Sequence, residues 1–129
     1  MYFIYVDTDA KVFETLEAVM HRVDKTKLLI AVANGYELLQ FLQNVKWGQS
    51  YPDLIILNMI RPEALNGMEL LQLLKTDDIY RLIPVIMLLP QNNEEHQSFC
   101  RSLGADTILL PTEQKDWVSA ARQICSACS

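Results

Sequence analysis

The stretch Pro52-Asp53-Leu54-Ile55-Ile56-Leu57-Asn58 leaves this chain few folds to choose from. A turn leads into four consecutive large apolar residues, and the run ends on one polar side chain before Met59-Ile60-Arg61-Pro62. A strand that is apolar on both faces must be covered on both faces, which is the situation of a central strand in a parallel sheet flanked by helices. In such sheets, ligands bind in the crevice at the carboxyl ends of the strands. The residue delivered to that crevice is Asn58.

The flanking sequence agrees. Short apolar runs alternate with amphipathic stretches from end to end, the pattern of a βα-repeating domain. Strands are predicted at Tyr2–Val6, 28–33, 54–58, Val85–Leu89 and 107–110. The first helix is predicted from Ala10 to His21, with Val12, Phe13, Leu16, Val19 and Met20 on one face. Asn34 and Glu37 have capping-box spacing ahead of the stripe Leu38, Leu39, Leu42 and Val45. Asn66 and Glu69 have cap spacing before Met68, Leu70, Leu71 and Leu74. Asn92 or Asn93 caps a fourth helix with Phe99, Cys100 and Leu103 inward, ended by Gly104. Trp117, Ala120, Ala121 and Ile124 form the buried stripe of the last helix. Strict alternation predicts an α/β fold: one doubly wound five-stranded parallel sheet, order 2-1-3-4-5, in a single domain spanning 1–129.

Half the residues are apolar and 21% are charged, as expected of a globular chain. A net charge of −5 without a Lys/Arg cluster argues against nucleic acid or an anionic membrane as the main partner. The apolar run 2–6 is too short for a signal-peptide core or a membrane span, so the cytoplasm is the expected compartment. Three cysteines do not suggest a disulfide framework.

The strand ends carry Asp7, Asn58, Leu89 and Leu110. Together with Val6-Asp7-Thr8-Asp9, Ala33-Asn34-Gly35-Tyr36-Glu37, the Pro62…Asn66-Gly67-Met68-Glu69 loop, Ile83-Pro84-Val85-Ile86 and Gly104-Ala105-Asp106, they give a sequence that resembles the response-regulator receiver domains of two-component signalling. The resemblance covers nearly the whole chain and implies a flavodoxin-like receiver fold. In that family, an Asp ending the third strand accepts a phosphoryl group. Two acids after the first strand help hold Mg²⁺. A Ser or Thr ends the fourth strand, and a Lys before a Pro ends the fifth. Carried over residue by residue, Asp7 keeps the first acid, Thr8 replaces the second, and Asn58 replaces the acceptor. Leu89 replaces the hydroxyl residue, and Leu110, before Pro111, replaces the Lys. Thr107 and Ile108 stand where the family has an aromatic switch residue.

These departures remove chemistry. Phosphoryl transfer to a side chain needs an ionised carboxylate, and an amide is not one. Mg²⁺ prefers hard oxygen ligands with one or two carboxylates, so binding is expected to be weak or absent. The transferring group also needs cations and donors, which leucines do not supply. The expectation is a degenerate, pseudo-receiver form: not an enzyme, without a cofactor, with Leu89 and Leu110 plugging the crevice. With no effector domain expected, output goes through another signalling protein or a second copy. The resemblance implies a partner face on the fourth helix, fifth strand and fifth helix, with Glu95, Arg101, Lys115, Ser119 and Arg122 exposed on it.

Other chemistry-bearing residues have plainer readings. Asp9 is a helix cap or a second metal ligand, and Asp7 is a ligand or a polar strand end. Asp53 lies at the wrong end of its strand and reads as a turn residue. Cys125 and Cys128 form a C-x-x-C pattern at a helix tail rather than at a helix start, so free thiols are expected. His21 and His96 stand singly. Two rival readings stay open: a phosphoreceiver with an unconventional acceptor, and a flavodoxin-like small-molecule binder. The second lacks a Gly-rich phosphate loop.

Overall fold

The computed structural model describes residues 2–7, 10–46, 49–58, 67–90, 93–111 and 113–127. Five strands alternate with five α-helices: β1 (Tyr2–Val6), α1 (Ala10–Val23), β2 (Leu28–Val32), α2 (Gly35–Gln43), β3 (Leu54–Asn58), α3 (Gly67–Thr76), β4 (Val85–Leu89), α4 (Glu94–Ser102), β5 (Asp106–Leu109) and α5 (Gln114–Ser126). A short 3₁₀ turn, Tyr80–Leu82, precedes β4. The strands form one parallel sheet ordered β2-β1-β3-β4-β5, as predicted.

The continuous apolar run of β3 is explained by its two faces. Leu54 and Ile56 face one helical layer with Phe3, Tyr5, Leu16, Met20, Trp117 and Ile124. Ile55 and Leu57 face the other with Ile4, Leu38, Leu42, Leu70, Leu71 and Leu74. All five β3 residues are buried. Burying each such aliphatic side chain contributes about 1.5–3 kcal/mol, so β3 is firmly anchored from both sides.

Local signals end the helices where expected. Asn34 caps α2 by accepting from the Glu37 amide at 2.9 Å. The Glu37 carboxylate accepts from the Ala33 amide at 3.0 Å, one residue before the usual capping-box donor. Asn93 caps α4 through the His96 amide at 3.1 Å. The alternative cap Asn92 lies outside the described residues, as do Asn66 and the side chain of Met68. Gly104 has φ +86°, and the bonds Gly104 N–H to Arg101 O and Ala105 N–H to Cys100 O, both 2.9 Å, close a Schellman motif.

One predicted inward residue is placed differently. Phe99 is 37% exposed, whereas half-buried Leu103 packs against the core as expected. Cys100 is the α4 residue against the core, and Phe99 sits about 100° around the helix from it, on the flank. The predicted bounds shift by one residue at β2 and β5 and extend at α1 and α5. Among the described residues no helix is long and apolar enough to cross a membrane.

Candidate functional site

β1 and β3 are neighbours with Val6 opposite Leu57, so the next residue of each, Asp7 and Asn58, reaches the carboxyl edge at the same level. Strand alternation puts Tyr5, two before Asp7, on the same face as Asn58. The three side chains meet. Asn58 Nδ2 donates to the Tyr5 hydroxyl at 3.0 Å and to Asp7 Oδ2 at 3.2 Å. The Tyr5 hydroxyl donates to the same Oδ2 at 3.4 Å. Asn58 is 7% exposed, and Tyr5 is fully buried with its ring 6.2 Å from that of Phe13 on α1.

The orientation of the Asn58 amide follows from its neighbours. An ionised carboxylate only accepts, so the amide must turn its NH₂ toward Asp7. Hydrogen bonds to a charged group contribute about 1.5–3 kcal/mol, more than neutral ones. Asp7 is therefore balanced by two neutral donors of the chain itself. Its backbone N–H extends the ladder to β2 through Val32 O at 3.1 Å.

The same geometry fits Mg²⁺ poorly. The described part of the site presents one carboxylate, and the amide turns nitrogen rather than oxygen toward it. Among the described residues no three His, Cys, Asp or Glu side chains gather. Thr8 and Asp9 lie outside the described residues.

The two leucines expected to plug the crevice lie on opposite faces of the sheet. Leu89 is buried on the face of the sheet covered by α2, α3 and α4, whereas half-buried Leu110 packs on the α1 and α5 side. Adjacent strand residues point to opposite faces, and Leu88 already occupies the α1 and α5 side of β4. The link between the two leucines is backbone: Leu110 N–H donates to Leu89 O at 2.7 Å. Buried beside Asn58 are Leu88, its partner on β4, and Tyr5, its hydrogen-bond acceptor, which the sequence reading passed over. Its signal was present, since Tyr5 has the parity of Asp7 and its β3 partner Ile56 has that of Asn58.

No family model matches the chain, and none of the curated proteins does. Solved structures do. The phosphorylated cyanobacterial phytochrome response regulator RcpA superposes with a TM-score of 0.83 at 20% identity, covering 98% of this chain and 92% of that one. The bacteriophytochrome response regulator RtBRR gives 0.76 at 25% identity, covering 95% and 76%. The signal receiver domain of a signal transduction histidine kinase from Syntrophus aciditrophicus gives 0.73 at 26% identity, covering 98% and 90%. The chain has the fold of a response-regulator receiver domain.

In this receiver-like fold, the face of α4, β5 and α5 is open. Glu95, Arg101, Lys115, Ser119 and Arg122 are all exposed. β5 is an edge strand, and between it and α5 runs a groove of about 510 Å³ lined in part by Thr107, Leu109, Pro111 and Ser119. A second hollow of about 300 Å³ is lined by Arg101, Asp106, Thr107 and Gln123. Exposed Phe99 and Leu109 add apolar surface to this face that the sequence reading had not assigned. The ion pair of Lys115 with Glu113, 3.6 Å, is solvent-exposed and contributes little.

The remaining candidates have structural roles. The Asp53 carboxylate accepts from the Tyr2 amide at 2.9 Å, and the Asp53 amide donates to Tyr2 O at 2.9 Å. It staples the starts of β1 and β3, at the far edge from Asn58. Cys125 is buried in α5 against the core rather than on a fraying tail, and burial pushes its thiol pKa up. Cys128 lies outside the described residues. His21 is exposed, and His96 is half-buried.

Proposed function

We propose that this chain is a receiver-like signalling module of a phosphorelay-type system that acts in the cytoplasm by protein–protein contact and is not switched by phosphate on β3. The observation that supports it is the buried Asn58 amide, which stands at the acceptor position and is engaged by Tyr5 and Asp7. Its nitrogen lone pair is delocalised, so it forms no acyl phosphate. Leu89 and Leu110 give a transferring phosphoryl group neither a hydroxyl nor a cation. On this reading the domain transfers no group itself and holds Mg²⁺ weakly or not at all. Its partner, another signalling protein or a second copy, meets the face of α4, β5 and α5.

Intact-mass analysis after incubation with acetyl phosphate and Mg²⁺ tests the reading. An unchanged mass is expected, and a stoichiometric gain of one phosphoryl group would overturn it. The face is tested separately: Arg101→Ala combined with Arg122→Ala weakens binding to the native partner, whereas Asn58→Ala does not. The reverse pattern would make the crevice the working site.

A further inference from the structure

A second surface lies at the opposite edge of the sheet from Asn58, where α1 ends and the turn 24–27 enters β2. A groove of about 550 Å³ opens there. Its floor is apolar, formed by buried Met20 and Leu29, and at its lip Leu28 is 59% exposed. Its rim is basic, with His21, Arg22, Lys25 and Lys27 lining it against Glu17.

The rim is unusual for this chain. The net charge is −5, yet three of the eleven Lys and Arg residues fall between positions 22 and 27. The acid within that stretch is committed to its own turn. Asp24 accepts from the Thr26 hydroxyl at 2.6 Å and the Thr26 amide at 2.9 Å, bonds that hold its carboxyl below the usual range. Lys27 lies 3.8 Å from it, with its side chain 8% exposed and its ammonium 6.0 Å from the Phe3 ring centre. Arg22 and Lys25 are exposed and form no ion pair among the described residues. Basic residues at a helix C-terminus complement its dipole, which accounts for His21 and Arg22. Lys27 is held by Asp24 and the Phe3 ring, but nothing of this kind accounts for exposed Lys25 past the helix end or for a leucine left open beside it.

We propose that this groove docks an acidic segment of a partner protein, with one apolar side chain set against Met20, Leu28 and Leu29 and flanking carboxylates on Arg22 and Lys25. Apolar burial supplies affinity, and the opposite charges supply encounter rate and register. The surface is separate from the α4, β5 and α5 face and from the crevice, so it stands whether or not either of those is a working site.

The test is an amide NMR titration of the isotope-labelled full chain with a short peptide in which one leucine is flanked by glutamates. Shifts confined to residues 17–29 are expected. Arg22→Glu with Lys25→Glu should weaken binding about tenfold or more, because like charges then face the peptide. Leu28→Ala should weaken it several-fold. All three positions are exposed, and matching melting curves would confirm that the variants fold. No shifts at millimolar peptide, shifts centred on α4 and α5, or an affinity unchanged by the charge reversal would each overturn the proposal. Self-association of the chain that the same charge reversal abolishes would give the groove to a second copy and overturn the partner-segment assignment.

Discussion

Asn58→Asp restores the residue that a receiver phosphoacceptor carries, and it should be destabilising. Asn58 Nδ2 lies 3.2 Å from Asp7 Oδ2. Replacing that nitrogen by a carboxylate oxygen turns an attraction into a repulsion between two charges. At 3.2 Å and an effective dielectric near 20, the repulsion is about 5 kcal/mol. Two effects reduce it. Asp7 is only half-buried, so water screens it, and the new carboxyl can bind a proton instead. Raising its pKa from about 3.9 past neutrality costs about 4 kcal/mol at pH 7, which caps the penalty. A net loss of about 2–3 kcal/mol is therefore expected, a fall of roughly 10 °C in melting temperature for a domain of this size. The pH dependence has a definite sign. The new group's folded-state pKa is raised, so the fold holds a proton that the unfolded chain releases. The deficit is full near neutrality, shrinks as pH falls toward about 4, and vanishes below the unfolded value. Asn58→Ala removes the donor without adding charge, so its deficit should not shrink in the same way on acidification. Differential scanning calorimetry of parent, Asn58→Asp and Asn58→Ala across that range is the assay. An Asn58→Asp variant as stable as the parent at pH 7, or one whose deficit does not shrink on acidification, would refute the charge-balance account of the triad.

Tyr5→Phe should cost about 1–2 kcal/mol by denaturant melt, because Asn58 Nδ2 loses its nearer acceptor and Asp7 a donor. Asn34→Ala and Asn93→Ala should each lower stability by about 1 kcal/mol, since each removes a side-chain cap. Gly104→Ala meets open space but a left-handed backbone, so about 1 kcal/mol is expected from strain alone. Burial raises the Cys100 thiol pKa, so the native state keeps a proton that the unfolded chain loses above about pH 8.5. Stability should fall as pH rises past that value, and Cys100→Ala should make the fall shallower in alkaline melts.

Much of this protein is determined by local sequence. The double-sided apolar run of β3 demands two helical layers, and the alternation of strands with amphipathic stretches calls for a parallel sheet. The Asn34 and Asn93 caps and the Gly104 stop each depend on residues within a few positions, so they can be read one-dimensionally. The replacement of the acceptor carboxylate at Asn58 is equally legible, because side-chain chemistry does not change with context. What the sequence did not settle depends on which face a residue turns to and what lies across from it. Leu89 and Leu110 both stand at strand ends, yet alternation sends them to opposite sides of the sheet, and only the packed layers decide which side is which. Phe99 fits an apolar stripe, but a nine-residue helix that touches the core mainly through Cys100 leaves its flank in solvent. Tyr5 reads as one more core aromatic along β1. Only the level pairing of β1 with β3 brings Asn58 to its hydroxyl and to Asp7, because Asn58 lies more than fifty positions along the chain from both and meets them only across the sheet.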